Sequence, residues 1–174
     1  MEPVLWLVLT WLALGITTLV CGVLATSRPT ALTVGRLSLG ALMIGGGALV
    51  NGYFLATGVN YDDFADESMF GFVTDTWQSV VAPRQVFWIG LLITFEAIVG
   101  LLVLLGHRLA VAGMVGVIGF HIGLMFFGWA FWPWAVPMIV GVSLLLRGQL
   151  KALHRLAHPP GRQTRAPHYE HVST

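Results

Sequence analysis

One carboxylate and one imidazole stand apart from the rest of this 174-residue chain, because each falls inside a long apolar run. Glu96 is the only acidic residue in any such run, and His121 is the only histidine. A charged group deep in a bilayer is costly unless it is paired, protonated or wet, so both are functional candidates by default. Glu96 lies ten residues before Gly106, and His121 lies twelve residues after Leu109. At 1.5 Å per residue their depths differ by roughly 3 Å. Their two runs are joined by His107 and Arg108 alone, which makes them antiparallel neighbours and lets the two side chains meet if both face the seam. An ion pair or shared proton between them could carry protons or hydrogen-bond a quinone-like headgroup. A buried structural hydrogen bond, with Glu96 kept neutral by desolvation, is the alternative. Asn51 and Tyr53, toward the far end of the second apolar run, add polar groups suited to interhelical hydrogen bonding and complete the candidates for a ligand site or proton relay.

Other chemistry is excluded by what is missing. No lysine lies in an apolar run, which removes a retinal Schiff base, and a single buried histidine cannot make a bis-histidine haem site. Paired intramembrane carboxylates, a Ser-His dyad and an HExxH motif are all lacking, so no complete catalytic set is present. Cys21 is the sole cysteine, which excludes a disulfide framework, a CxxC pair and a CxxCH haem attachment. His154 and His158 sit four apart, and His168 and His171 are close together, but neither pair has a cysteine or carboxylate at fixed spacing to complete a metal site. A solvated tail is the simpler account of them.

The elements that must position these groups follow from composition. Residues of the AVILMFWYC class make up 56%, charged residues 10%, and the mean hydropathy is +0.81. Soluble domains carry roughly 25% charged residues. That shortfall rules out a water-soluble enzyme, a nucleic-acid binder and a disordered protein. A bilayer core needs roughly 20 apolar residues per helix. Spans are predicted at 4–25, 37–57, 86–106, 109–128 and 131–147, the last with Pro133 and Pro137 near its start, where proline is tolerated. A single helix from Leu109 to Arg147 would be roughly 58 Å long, nearly twice the bilayer core, so a turn is predicted around Gly128–Pro133. The first span has only Glu2 before it and lacks the basic region of a signal peptide, which makes it a retained helix. The expected fold is therefore an all-α polytopic bundle of five transmembrane helices over residues 1–158, followed by a disordered tail at 159–174 rich in Pro, Arg, Thr and His.

Charge sets the expected orientation. Arg28, Arg36, Arg108, Arg147, Lys151, Arg155, Arg162 and Arg165 fall on alternate connections, and of the nine basic residues only Arg84 falls on the other side. Asp62, Asp63, Asp66, Glu67 and Asp75 gather in the one long loop opposite. By the preference of Lys and Arg for the cytoplasmic side, the amino terminus is outside and the carboxyl terminus inside. Tyr53, Tyr61, Trp77, Trp88, Trp129, Trp132 and Trp134 read as an outer aromatic belt.

In the long loop, Met69, Phe70, Val73, Trp77, Val80 and Val81 recur at three- and four-residue spacing. This predicts an amphipathic helix over 66–82 that lies on the membrane surface or caps the bundle, and makes Met69, Phe70, Val73 and Trp77 candidates for docking a partner. Beyond Arg147 the helical pattern continues through Leu150, Leu153 and Leu156 to Pro159. Arg147, Lys151 and Arg155 there suit anionic lipid headgroups. Glycines crowd the second and fourth spans, and Gly119-x-x-x-Gly123 predicts tight packing within the bundle or against a partner helix.

Residues 34–150 resemble the DoxX-like family of small bacterial membrane proteins. The matching features are Arg36-x-x-Leu39-Gly40 opening a glycine-rich span, Glu96-x-x-x-Gly100-Leu101-Leu102 in the next, and the tight Arg108-Leu109-Ala110 turn. The extra amino-terminal span and the acidic loop are departures from that pattern. The resemblance implies a four-helix membrane bundle, an association with quinone-linked sulfur oxidation and redox-stress complexes, and a role for Glu96. High Arg, Trp and Gly with a single Lys point to a bacterial chain. Two functions are expected from these features. The first is a non-catalytic subunit or partner of a larger inner-membrane complex, surrounded by lipid and by other membrane subunits. The second is a quinone-linked redox component or small-molecule binder, with quinone or bound lipid in a pocket at Glu96 and His121.

Overall fold

The computed structural model describes residues 3–158; the tail at 159–174, with His168, His171, Arg162 and Arg165, lies outside the described residues. The described residues fold into helices with no strand among them. They are α1 (Pro3–Leu24), α2 (Pro29–Ala56), α3 (Gly71–Thr76), α4 (Gln85–Leu105), α5 (His107–Leu124) and α6 (Trp132–Ala157). They belong to five helical stretches long and apolar enough to cross a membrane, with α3 and α4 in one continuous stretch, Gly71–Leu105, so the outer helix runs on into α4 rather than ending at 82; the chain is a multi-pass membrane protein. Only 22–28% of the residues in the apolar windows of these stretches are buried within the protein, so most keep at least part of their apolar surface for lipid.

The five spans form a ring in which each packs against two neighbours, in the order α1, α2, α4, α5, α6 and back to α1. Leu39, Met114, Met138, Val103, Val142 and Leu145 fill its centre. At the α2–α4 crossing Gly40 and Gly100 stand face to face, and a Cβ on either would come 3.2 Å from the other's carbonyl oxygen. Such backbone approach is how helices gain contact where lipid gives no hydrophobic incentive to associate.

The connections sort by charge. Arg28, Arg36, Arg108, Arg147, Lys151 and Arg155 lie at one end of the bundle, hereafter the basic end. The loop with Asp62, Asp63, Asp66, Glu67 and Asp75 covers the other, the acidic end.

The starts of span two and of the outer helix differ from the sequence expectation. Span two begins at Pro29 rather than Leu37, because Arg36 is not a charge at a span end. Its Nε donates to the Val103 carbonyl at 3.1 Å and its Nη2 to the Leu104 carbonyl at 3.0 Å. These are among the last carbonyls of α4, which have no partner within their own helix. Gly106, at φ 80°, takes the left-handed turn that ends α4 and lets α5 start at once. The outer helix begins at Gly71 rather than Asp66. The Ser68 hydroxyl donates to the Phe126 carbonyl at 2.7 Å and accepts from the Phe70 amide, which holds residues 66–70 out of helical conformation. The last helix continues past Arg147 to Ala157, as the leucine spacing beyond that arginine predicts.

Replacing Arg36 by methionine removes both donors from the end of α4. The expected loss is about 2–3 kcal/mol of stability, read as a lower midpoint of unfolding in detergent; an unchanged midpoint would show that α4 ends without this cap.

Candidate functional site

Glu96 is 2% exposed and faces α2. Room for its carboxyl comes from Gly47, since a Cβ there would stand 2.8 Å from the Glu96 Cδ and Oε1. Gly47 lies in a π-helical stretch, Leu42–Leu49, in the middle of α2. Wide turns of this kind interrupt the regular hydrogen-bond ladder and recur at functional sites. Four residues further along, Asn51 Nδ2 donates to Glu96 Oε2 at 3.0 Å. Asn51 Oδ1 in turn receives a longer and weaker hydrogen bond, 3.4 Å, from the Tyr61 hydroxyl. Tyr61, in the acidic-end loop, is fixed through its backbone: its amide donates to Gln85 Oε1 at 3.1 Å, and its carbonyl accepts from Trp77 Nε1 at 2.8 Å. Burial, and secondarily the Glu96 carboxyl behind Asn51, push the Tyr61 phenol above the usual tyrosine range, so it stays a donor at neutral pH. A polar chain therefore runs from the acidic-end loop through Tyr61 and Asn51 to Glu96.

This chain borders a cavity of about 800 Å³ between α4 and α5. Its polar lining is Asn51, Tyr61 and Glu96, and the rest is apolar or aromatic, including Phe64, Trp77, Leu92 and Phe127. The space exists because α4 and α5 are close at one end only. A Cβ on Gly113 would meet the Val99 carbonyl oxygen and the Val103 amide nitrogen at 2.8 Å, whereas Gly119 and Gly123 have nothing within 4 Å. Gly119, Gly123, Phe95 and Trp88 line the cavity and are exposed on the outside of the bundle, so the cavity opens sideways toward lipid. The acidic-end loop and the π-helical stretch Trp77–Val81 that follows α3 roof it through Phe64, Trp77 and Val81.

A second cavity of about 480 Å³ lies on the other side of Glu96, lined by Trp11, Met43, Gly46, His121 and Trp134 among others. Glu96 borders both. His121 is 2% exposed, and its Nδ1 is 2.9 Å from the Val117 carbonyl of its own helix. A carbonyl can only accept, so Nδ1 is the donor and Nε2 is the nitrogen left for other partners.

The structure thus rearranges the expected site. Glu96 and His121 share the smaller cavity, but among the described residues they form no hydrogen bond; the acid is held by Asn51 and the imidazole by its own helix, one turn back. Tyr53 is 65% exposed on the outer surface of α2 and takes no part. Within the bundle, Gly119 and Gly123 meet no neighbouring helix and line the cavity. Trp77 is buried under the loop against Phe64 and Phe127, so it is neither a belt residue nor a docking surface. Val73 is half-buried beside it. Met69 and Phe70 precede α3 and stay exposed. Arg147, Lys151 and Arg155 are exposed at the basic end, and the His154 and His158 rings stack at 4.5 Å.

From sequence Tyr61 reads only as a belt aromatic and Gly47 only as one of several crowded glycines, neither as part of the site. Tyr61 lies in a loop, where no periodicity relates it to a span. Gly47 had a signal, three consecutive glycines at 45–47 breaking an apolar run, but nothing in the sequence says which side chain fills the gap.

The geometry at Gly47 and Gly119 makes opposite demands on an added methyl. Gly47→Ala is expected to cost about 1–3 kcal/mol by pressing on the Glu96 carboxyl. Gly119→Ala is expected to leave stability unchanged or raise it by up to about 1 kcal/mol through helix propensity. Thermal unfolding of the two variants in detergent compares them directly, and equal stability would place Glu96 elsewhere. Comparison of the chain with family models, with curated proteins and with solved structures finds no match.

Proposed function

We propose that the chain binds a lipid-soluble amphiphile, a quinone-like ring on an apolar tail, in the cavity between α4 and α5. The observation that carries this reading is the Asn51–Glu96 pair on the wall of an apolar cavity that opens toward lipid. An apolar pocket with a few convergent polar groups is the usual form of a small-molecule site. Asn51 Nδ2 keeps a second N–H for a ring carbonyl, and Glu96 Oε1 takes no hydrogen bond from the described residues, leaving it for a ring hydroxyl. The DoxX-like resemblance, which includes Glu96-x-x-x-Gly100-Leu101-Leu102, points the same way.

Trp77 and Trp88 line the cavity and report occupancy by their fluorescence. A short-chain benzoquinone is expected to quench it saturably. Asn51→Leu, which also strips Glu96 of its donor, is expected to weaken binding tenfold or more, while the outward-facing Tyr53→Phe binds as the parent does. Quenching that never saturates, or that is equal in all three proteins, would remove the proposal.

A role as an accessory subunit of a larger membrane complex is the second reading. It is favoured by the exposed aromatic patch of Phe70, Phe72 and Phe126 at the acidic end, whose rings lie 5.4–5.8 Å apart. The two roles are compatible, since the patch and the cavity opening are formed by different residues.

In this proposal the membrane is a bacterial inner membrane, with the basic end cytoplasmic and the acidic loop outside. In a Cys21→Ser background, a cysteine at Asp63 should react with an impermeant maleimide in intact cells, and one at Arg155 only after lysis. The reverse pattern would invert the topology.

A further inference from the structure

Three cations converge on one small groove at the basic end. The connection between α1 and α2 brings Arg28 and Ser27, and the last turns of α6 bring Lys151 and Arg155, around a depression of about 50 Å³ that also touches Pro29 and Gly148. The approach is possible because α6 meets the α1–α2 connection at Gly148, where a Cβ would stand 2.8 Å from the Ala25 side chain. No carboxylate offsets this charge within the described residues: Asp62, Asp63, Asp66, Glu67 and Asp75 are at the opposite end, and Glu96 is inside the bundle. The amino terminus of α2, a 28-residue helix, adds to it. Arg28 is its cap and Pro29 its first residue, and no side chain accepts from the first turn's amides, so the positive end of the helix dipole is left open on the same side.

Three like charges side by side repel one another, and a bound anion removes that repulsion while accepting several charge-assisted hydrogen bonds. The groove lies where the ends of α1 and α2 leave the apolar zone, and one to two turns deeper Val20 and Val23 of α1 present exposed apolar side chains suited to acyl chains. An occupant with a phosphate at its head and hydrocarbon below matches both features.

We propose that Arg28, Lys151 and Arg155 form a binding site for the phosphate of an anionic phospholipid, which pins the α1–α2 connection to α6. Arg147 is the internal control, because it is exposed on the same helix but outside the groove. The site is separate from the α4–α5 cavity, and its failure would leave that reading untouched.

The test is native mass spectrometry of the full chain extracted from vesicles of phosphatidylglycerol and phosphatidylcholine. The parent is expected to retain one phosphatidylglycerol in preference to phosphatidylcholine. R155Q is expected to weaken retention about fivefold, and R28Q/K151Q/R155Q on the order of a hundredfold, with R147Q as the parent. Circular dichroism confirms that each variant keeps its helices, and R155Q alone, at an exposed position, carries the test should the triple variant unfold. Equal loss in R147Q and R155Q would mean diffuse surface charge and overturn the proposal. So would retention of both lipids alike, or displacement of the phosphatidylglycerol by millimolar inorganic phosphate.

Discussion

A carboxyl group taken out of water has to find its hydrogen bonds within the protein, and in this chain Glu96 finds one on Asn51. Much of the surrounding architecture can be understood as what that single bond requires. The α2 and α4 helices must be close enough for a short amide to reach a carboxylate, and the Gly40–Gly100 contact sets that distance. The carboxyl needs room, which Gly47 provides in the π-helical stretch of α2. Without the partner the acid would be an orphan in a medium that offers no substitute, a situation costlier there than on any soluble protein surface.

The same rule governs the helix ends. Arg36 satisfies two terminal carbonyls of α4, and the buried side-chain amide of Gln149 finds an acceptor for its Nε2 in the His107 carbonyl. At the acidic end, irregular backbone is capped by indoles: Trp77 donates to Tyr61, Trp88 to Val80 and Trp132 to Met125. Each ring brings an apolar body to a lipid-facing or buried surface and a single donor to a carbonyl left over by the break in helix. An aromatic-rich acidic end thus serves two purposes, anchoring at the interface and closing the backbone's hydrogen-bond account.

The loop also explains how one residue in a span communicates with the bundle surface. Tyr61 is held by Gln85 and Trp77, and through Asn51 it connects the roof of the larger cavity to Glu96. Because Glu96 borders both cavities, a molecule in the larger one and groups in the smaller one, His121 among them, are separated by one side chain. A short chain of polar contacts thus joins the roof of the larger cavity to the carboxyl.

The number of spans, their alternation and the partition of charge between the two ends were legible in the sequence alone, because they depend on hydrophobic length and on the position of Arg, Lys, Asp and Glu, which are properties of composition along a line. The position of Glu96 inside a span, with Asn51 as a polar group in the neighbouring one, was legible for the same reason. The partner of Glu96 was not. Depth arithmetic places His121 level with it, but which way each helix turns about its axis depends on packing against all neighbours at once, and that packing gave the carboxyl to Asn51 and left His121 bonded to its own helix. Tyr53 faced outward and Tyr61 inward by the same rotation and by the path of an irregular loop, and Gly119 and Gly123 became a cavity wall because α5 parts from α4 beyond Gly116. Sequence decides how many times a chain must cross lipid, since that is a matter of transfer free energy per segment; azimuth and neighbour are decided only when the helices come together, since those depend on the fit of surfaces that are far apart along the chain.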